Sequence, residues 1–147
     1  MYLGPRSTRL HVALYRRSGG RLGGHVPGWP EARILLLDHT GARSGIERTS
    51  PVIFCEDGDT VAITASKAGL PENPAWFHNL KANPDTTIQV GPDRRPVHAR
   101  PADDEERARL WPRFVSTFPA FDAYRRNAGR PIPILLLEPR PAKASTP

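Results

Sequence analysis

The chain holds one cysteine, Cys55, among 147 residues, so no disulfide can close within it. The thiol follows the apolar stretch Val52-Ile53-Phe54, where a buried, unreactive role is expected. There is no run of about 18 consecutive apolar residues and no apolar core of a secretory leader, which predicts a cytoplasmic chain that does not cross a membrane. The histidines His11, His25, His39, His78 and His98 are scattered, with no Cys or Glu at metal-ligand spacing, and no metal site is expected. The dinucleotide glycine fingerprint, the Walker loop and the nucleophile elbow are missing as well. Their absence sets aside the usual nucleotide folds and serine-centred hydrolysis.

Proline and glycine are plentiful instead, 17 and 12 residues, too many for a helical bundle. Short apolar runs separated by turn signals predict one strand-rich domain. The formal net charge of +6 calls for an anionic partner. The basic residues are spread along the chain and no zinc-finger or aromatic RNA-binding pattern accompanies them, so no nucleic acid is expected and a small anionic ligand is favoured.

Leu10, Val12, Ala13, Leu14 and Tyr15 beside Arg9, Arg16 and Arg17 predict a short basic amphipathic helix, packed on the domain or touching a membrane surface. Residues 18–33, with Gly19-Gly20, Gly23-Gly24 and Pro27-Gly28, read as an irregular loop. Residues 1–32 thus form an N-terminal helix and loop, 33–139 the domain proper and 140–147 a flexible tail. Strands are predicted at Arg33–Leu37, ending in a turn from Asp38, and at Arg48–Glu56 and Thr60–Ala65, joined through Asp57-Gly58. Thr86–Val90 and Arg95–Arg100 follow, Pro96 implying an edge or bulge, and a strand at Ile132–Leu137 closes the set. Asp103 and Glu106 have capping-box spacing for a helix through Leu110 and Phe114 that Pro112 should kink, and a shorter helix spans Phe121 and Tyr124.

Ser66-Lys67-Ala68-Gly69 joins a hydroxyl, a cation and a flexible turn to a helix that begins at Asn73-Pro74, with Asn73 as N-cap, and stops at Asn83-Pro84. A strand end meeting a helix start commonly holds a phosphate or carboxylate, and an ordinary capped connection explains the run equally well. Arg43, Ser44 and Arg48 add polar groups on a second loop, each of which alone would be a solvated surface residue. Trp76, Trp111, Phe118, Phe121 and Tyr124 supply aromatics for a flat apolar slot, with core packing the commoner fate of such rings. Tyr124 also carries a phenolic donor.

Gly41-Ala42-Arg43-Ser44-Gly45 with Arg48 and Pro51, the run from Ser66 to Pro84, the helix from Asp103 to Val115, and Phe118 to Arg126 with Arg130 to Pro139 together resemble the deazaflavin-dependent nitroreductase family. These are actinobacterial oxidoreductases that use coenzyme F420. The resemblance spans roughly residues 10–139 and implies an α+β, mainly antiparallel split β-barrel with peripheral helices. It implies hydride transfer from reduced F420 to a small-molecule acceptor: a quinone, nitroaromatic or activated alkene. F420, with its phosphate and oligoglutamate tail, is favoured over FMN. By position the resemblance assigns Arg43, Ser44, Arg48, Pro51, Ile53, Ser66, Lys67, Ala68, Gly69 and Trp76 to the cofactor. It assigns Phe118, Phe121 and Tyr124 to the substrate pocket, where Tyr124, the candidate catalytic residue, or water would protonate the product. Tyrosines of the family are phenylalanines at 118 and 121, which favours an apolar acceptor over nitro compounds. Split barrels of this kind often form homodimers. A non-catalytic F420 carrier built on the same barrel is the alternative.

Overall fold

In a computed structural model, which describes residues 5–141, the chain forms α1 (Pro5–Ser18), β1 (His25–Val26), β2 (Trp29–Thr40), β3 (Glu47–Asp57) and β4 (Thr60–Thr64). A short 3-10 turn (Lys67–Gly69) and α2 (Ala75–Ala82) lead into β5 (Asp85–Val90), β6 (Asp93–Pro101), α3 (Asp104–Thr117), α4 (Ala120–Ala128) and β7 (Ile134–Pro139). The sheet order is β1-β2-β3-β4-β7-β6-β5, and β2 also pairs with β5. That last pairing, Leu36 opposite Gln89 and Leu37 opposite Ile88, closes β2 to β7 into an antiparallel barrel, as the resemblance implied. Closure leaves those strands without a long free edge.

Strand periodicity sorts the side chains between the two faces of the barrel wall. Leu35, Leu37, Val52, Phe54, Val61, Ile63, Ile88, Leu135 and Leu137 fill the interior, joined by Trp76, Phe77 and Leu80 of α2. The alternate residues Cys55, Ala62, Ile134 and Leu136 face outward under Leu110, Phe114 and Phe121 of α3 and α4. Ile34 and Leu36 lie under Tyr15 of α1. The three helices therefore cover different stretches of the outer wall, and Ile53 of β3 packs against both outer clusters.

Several local expectations are corrected. The loop 18–33 contains a hairpin, Val26 opposite Trp29 and His25 opposite Arg33, so β2 begins earlier than predicted. It also runs on through Thr40 because Asp38, His39 and Thr40 pair with Thr49, Arg48 and Glu47, and the turn starts only at Gly41. Asn73 is not the cap of α2, whose flanking residue is Pro74 with no side-chain cap. The Asn73 side chain accepts from Arg130 Nη1 at 2.5 Å instead. Pro112 does not interrupt α3. The carbonyl it leaves without an amide partner, that of Ala108, lies on the exposed side of the helix, where water can take the amide's place. The capping box forms as predicted, with Glu106 N–H donating to Asp103 and Asp103 N–H to Glu106.

Pro96 pairs with Thr87 of β5 on one side and accepts from Arg140 N–H at 3.0 Å on the other, so the predicted edge position is bonded on both sides. Arg140, assigned to the tail, is anchored: its Nε donates to Val97 O at 2.8 Å and its Nη2 to Thr86 O at 3.0 Å. The rest of the predicted tail from residue 142 lies outside the described residues.

Candidate functional site

β3 and β4 bring the two predicted loops to one end of the barrel. Their ladder runs from Asp57 opposite Thr60 to Phe54 opposite Ile63, after which β4 ends at Thr64 and leads into the Ser66–Gly69 turn. Arg48 lies three residues nearer the Gly41–Gly45 loop on the same strand, on the pleat face of Ser50 and Val52 beside His39 and opposite to that of Pro51 and Ile53. Pro51 and Ile53 are half-buried there and point out of the barrel, between the patch covered by α1 and that covered by α3 and α4. Arg43, Ser44 and Arg48 are exposed.

The first loop is shaped by contacts around Gly41, where a Cβ would collide with Ser44 Oγ. Ser44 Oγ accepts from Ile46 N–H at 3.2 Å, and Ala42 N–H donates to Asn79 Oδ1 at 3.0 Å. That bond orients the Asn79 amide, so its Nδ2 donates to His39 Nδ1 at 2.9 Å. His39 then carries its proton on Nε2, which donates to Ser50 Oγ at 2.9 Å. Burial, helped by the Arg48 charge, lowers the pKa of His39 to about 4, so the relay is built from a neutral imidazole. It connects β2, β3 and α2 directly beneath the arginine-bearing loop.

The second loop has an unusual backbone. Lys67, Ala68 and Gly69 have φ of 45°, 53° and 81°, a left-handed sequence that only the glycine adopts without cost. Gly69 is required for a further reason, since a Cβ there would lie 3.0 Å from Tyr124 Cα. The turn is thus seated against α4. Lys67 Nζ is 2.9 Å from Glu72 Oε1, which holds the Glu72 carboxyl below its ordinary pKa. Any anion reaching this lysine meets a carboxylate already beside it.

The predicted aromatic pocket is only partly one unit. Phe118, Phe121 and Tyr124 come together edge-to-face, with centroids 5.4 Å apart for Phe118 and Phe121 and 6.2 Å for Phe118 and Tyr124. Phe121 is 3 % exposed and belongs to the packing under α4, so Phe118 and Tyr124 carry the accessible edge. Burial raises the Tyr124 pKa, which keeps its phenol protonated and a donor. Trp76 does not join this ring; it is buried in the barrel interior.

Four participants escaped sequence reasoning. Trp29, 45 % exposed, extends the aromatic edge by packing on Phe118 at 5.9 Å. Asn79 and His39 meet only because α2 folds back over β2, and Arg130 reaches the second loop from beyond α4. Each depends on residues at least 40 positions apart, for which no local pattern exists. Among the described residues no group of three His, Cys, Asp or Glu could hold a metal, and no helix is long and apolar enough to cross a membrane.

Residues 7–139 match the model of a family described as F420H(2)-dependent quinone reductase. An F420H(2)-dependent quinone reductase of Mycobacterium tuberculosis is 43 % identical over 143 residues, covering 95 % of this chain and 94 % of that protein. Among solved structures, an F420-H2 dependent reductase superposes with a TM-score of 0.66 at 37 % identity, over 71 % of this chain and 93 % of its own. A chain described as a domain-swapped dimer gives 0.69 at 31 % identity, over 88 % and 95 %.

Proposed function

Since the chain belongs to the F420H(2)-dependent quinone reductase family, we propose that it carries a hydride from reduced F420 to a quinone at the outer face of β3. The observation that supports this reading is that β3 leads out of the Gly41–Gly45 loop while β4, paired with it, leads into the Ser66–Gly69 turn, so that the half-buried Pro51 and Ile53 lie between two polar loops. The donor set fits the cofactor. Arg43 and Arg48 suit a phosphate and carboxylates, with Ser44 beside them. Pro51 and Ile53 offer a flat apolar floor, and the Ser66–Gly69 turn lets a ligand approach the main chain. Bound F420H2 supplies the hydride. The protein fixes the acceptor against Phe118, Tyr124 and Trp29, excludes water with these rings, and presents the Tyr124 hydroxyl to the acceptor oxygen that takes up the accompanying proton. Trp76 acts from inside the barrel, through the placement of α2.

The deciding experiment is a fluorescence titration of F420 with the purified protein, with FMN as competitor, followed by menadione added to the complex with reduced cofactor. Selective binding and menadione-dependent reoxidation are expected. Binding without turnover of any acceptor would make the chain a carrier, and no binding would overturn the cofactor reading.

Two further features follow the same reading. On α1, Leu10 and Leu14 are 62 % and 41 % exposed one turn apart, in line with exposed Arg6 and Arg17. This face suits an anionic lipid surface, which would hold a cytoplasmic reductase near apolar quinones. Co-sedimentation with anionic vesicles, lost in a Leu10→Ser, Leu14→Ser double variant, is the expected result; equal sedimentation of both proteins would reject it. A homodimer is the expected assembly, on the ground of the domain-swapped relative, and a monomer mass by light scattering would exclude it.

A further inference from the structure

Arg130 opens one of the runs that carry the resemblance, which assigns it no role, and its guanidinium is the hub of the second loop. Nε donates to Leu70 O at 3.3 Å and Nη1 to the Asn73 side chain at 2.5 Å. Nη2 donates to Ala65 O at 3.1 Å and to Glu72 O at 2.9 Å, with Ser66 O at 3.4 Å. The acceptors run from Ala65 to Asn73, so the segment is wrapped around one half-buried cation. Gly129 makes this reach feasible. It ends α4 with φ 63°, a left-handed residue that turns the chain back toward the loop.

We propose that Arg130 is a positioning residue for the cofactor, holding the Ser66–Asn73 segment in its left-handed shape; this rests on the assignment of that segment to F420. Two physical facts support it. Lys67 and Ala68 hold positive φ, which persists only where surrounding contacts over-determine the backbone, and Arg130 supplies such contacts on both sides of the turn. Carbonyl and amide of a trans peptide point in opposite directions, and no peptide here is cis. With the Ala65 and Ser66 carbonyls drawn to the guanidinium, the Ser66 and Lys67 amides are turned to the side away from it. A lysine at 130 keeps the charge but lacks the fork that meets several acceptors at once.

The test compares wild type, Arg130→Lys and Arg130→Ala by hydrogen–deuterium exchange of residues 65–73 without cofactor, by F420 titration, and by the KM for menadione. Both variants are expected to lose exchange protection in this segment alone and to weaken F420 binding about tenfold or more, through lost preorganisation. The menadione KM should hold. Millimolar guanidinium should restore F420 affinity in Arg130→Ala and leave Arg130→Lys unimproved. Unchanged protection and affinity in both variants would overturn the role of Arg130. Protection lost with affinity intact would do so too, because the loop shape would then not matter to binding. Failure of the wild type itself to bind F420 would instead overturn the cofactor reading on which the proposal rests.

Discussion

At the scale of single residues, the tightest constraint sits at Ala68, whose φ of 53° and ψ of 30° are left-handed. An alanine pays roughly 1–2 kcal/mol for that conformation, and a β-branched side chain more. Ala68→Val is therefore expected to lower stability by about 2–3 kcal/mol in urea unfolding. Ala68→Gly should stay within about 1 kcal/mol of wild type, since relief of strain is offset by the freer unfolded chain. A stable Ala68→Val protein would show that the turn relaxes easily. Tyr124 makes a different claim: Tyr124→Phe keeps the ring on Phe118 but removes the donor. It should lower kcat about 10- to 100-fold with little change in F420 affinity. An unchanged kcat would shift proton delivery to water. Neither backbone strain nor phenol exposure was readable from the residues themselves, although the resemblance located both positions.

At the scale of elements, α2 is the brace between the two loops: Asn79 holds Ala42 from its last turns, and Asn73, just ahead of it, holds Arg130. Removing the amide in Asn79→Ala leaves His39 and the Ala42 N–H short of a partner, a loss of about 2–3 kcal/mol expected in denaturant unfolding. His39 gives the same relay a pH signature. Its folded pKa of about 4 lies below the ordinary 6.5, so the unfolded chain binds the extra proton first as pH falls. Stability from this group is intact above pH 6.5 and is lost between 6.5 and about 4, at up to about 1.4 kcal/mol per pH unit. Comparing wild type with His39→Gln across that window should show a steeper decline in the wild type; parallel curves would mean the imidazole is not held neutral. The α3 capping box was legible because its partners are three residues apart, and so was the Asp57-Gly58 hairpin. The length of β2 and the true environment of Asn73 were not, since pairing with β3 and the reach of Arg130 decide them from far along the chain.

For the whole molecule, barrel topology and net charge answer to different parts of the sequence. The alternation of apolar residues in β3 and β4 announced strands, but the closure of β2 on β5 is a pairing of segments some 50 residues apart that only the family resemblance implied. The charge of +6 was plain from composition, whereas its use depends on where the fold puts it. Arg16 and Arg94 are spent on Asp38, and Arg109 and Arg113 on Asp57, so much of the positive charge is internal to the scaffold. Arg43 and Arg48 are exposed, and under the proposed reading they meet the anionic tail. F420 affinity should accordingly fall as salt rises from about 0.01 to about 0.15 M, where the screening length shrinks from about 30 to about 8 Å. A deazaflavin lacking the phosphate and glutamates should bind with little salt dependence, and Arg43→Gln with Arg48→Gln should flatten the F420 curve toward it. If Pro51 and Ile53 hold the ring as proposed, those contacts are apolar and the double variant should keep its affinity for the tail-less compound. Equal salt slopes for both ligands would mean that the arginines act on the protein's general field and do not read the tail.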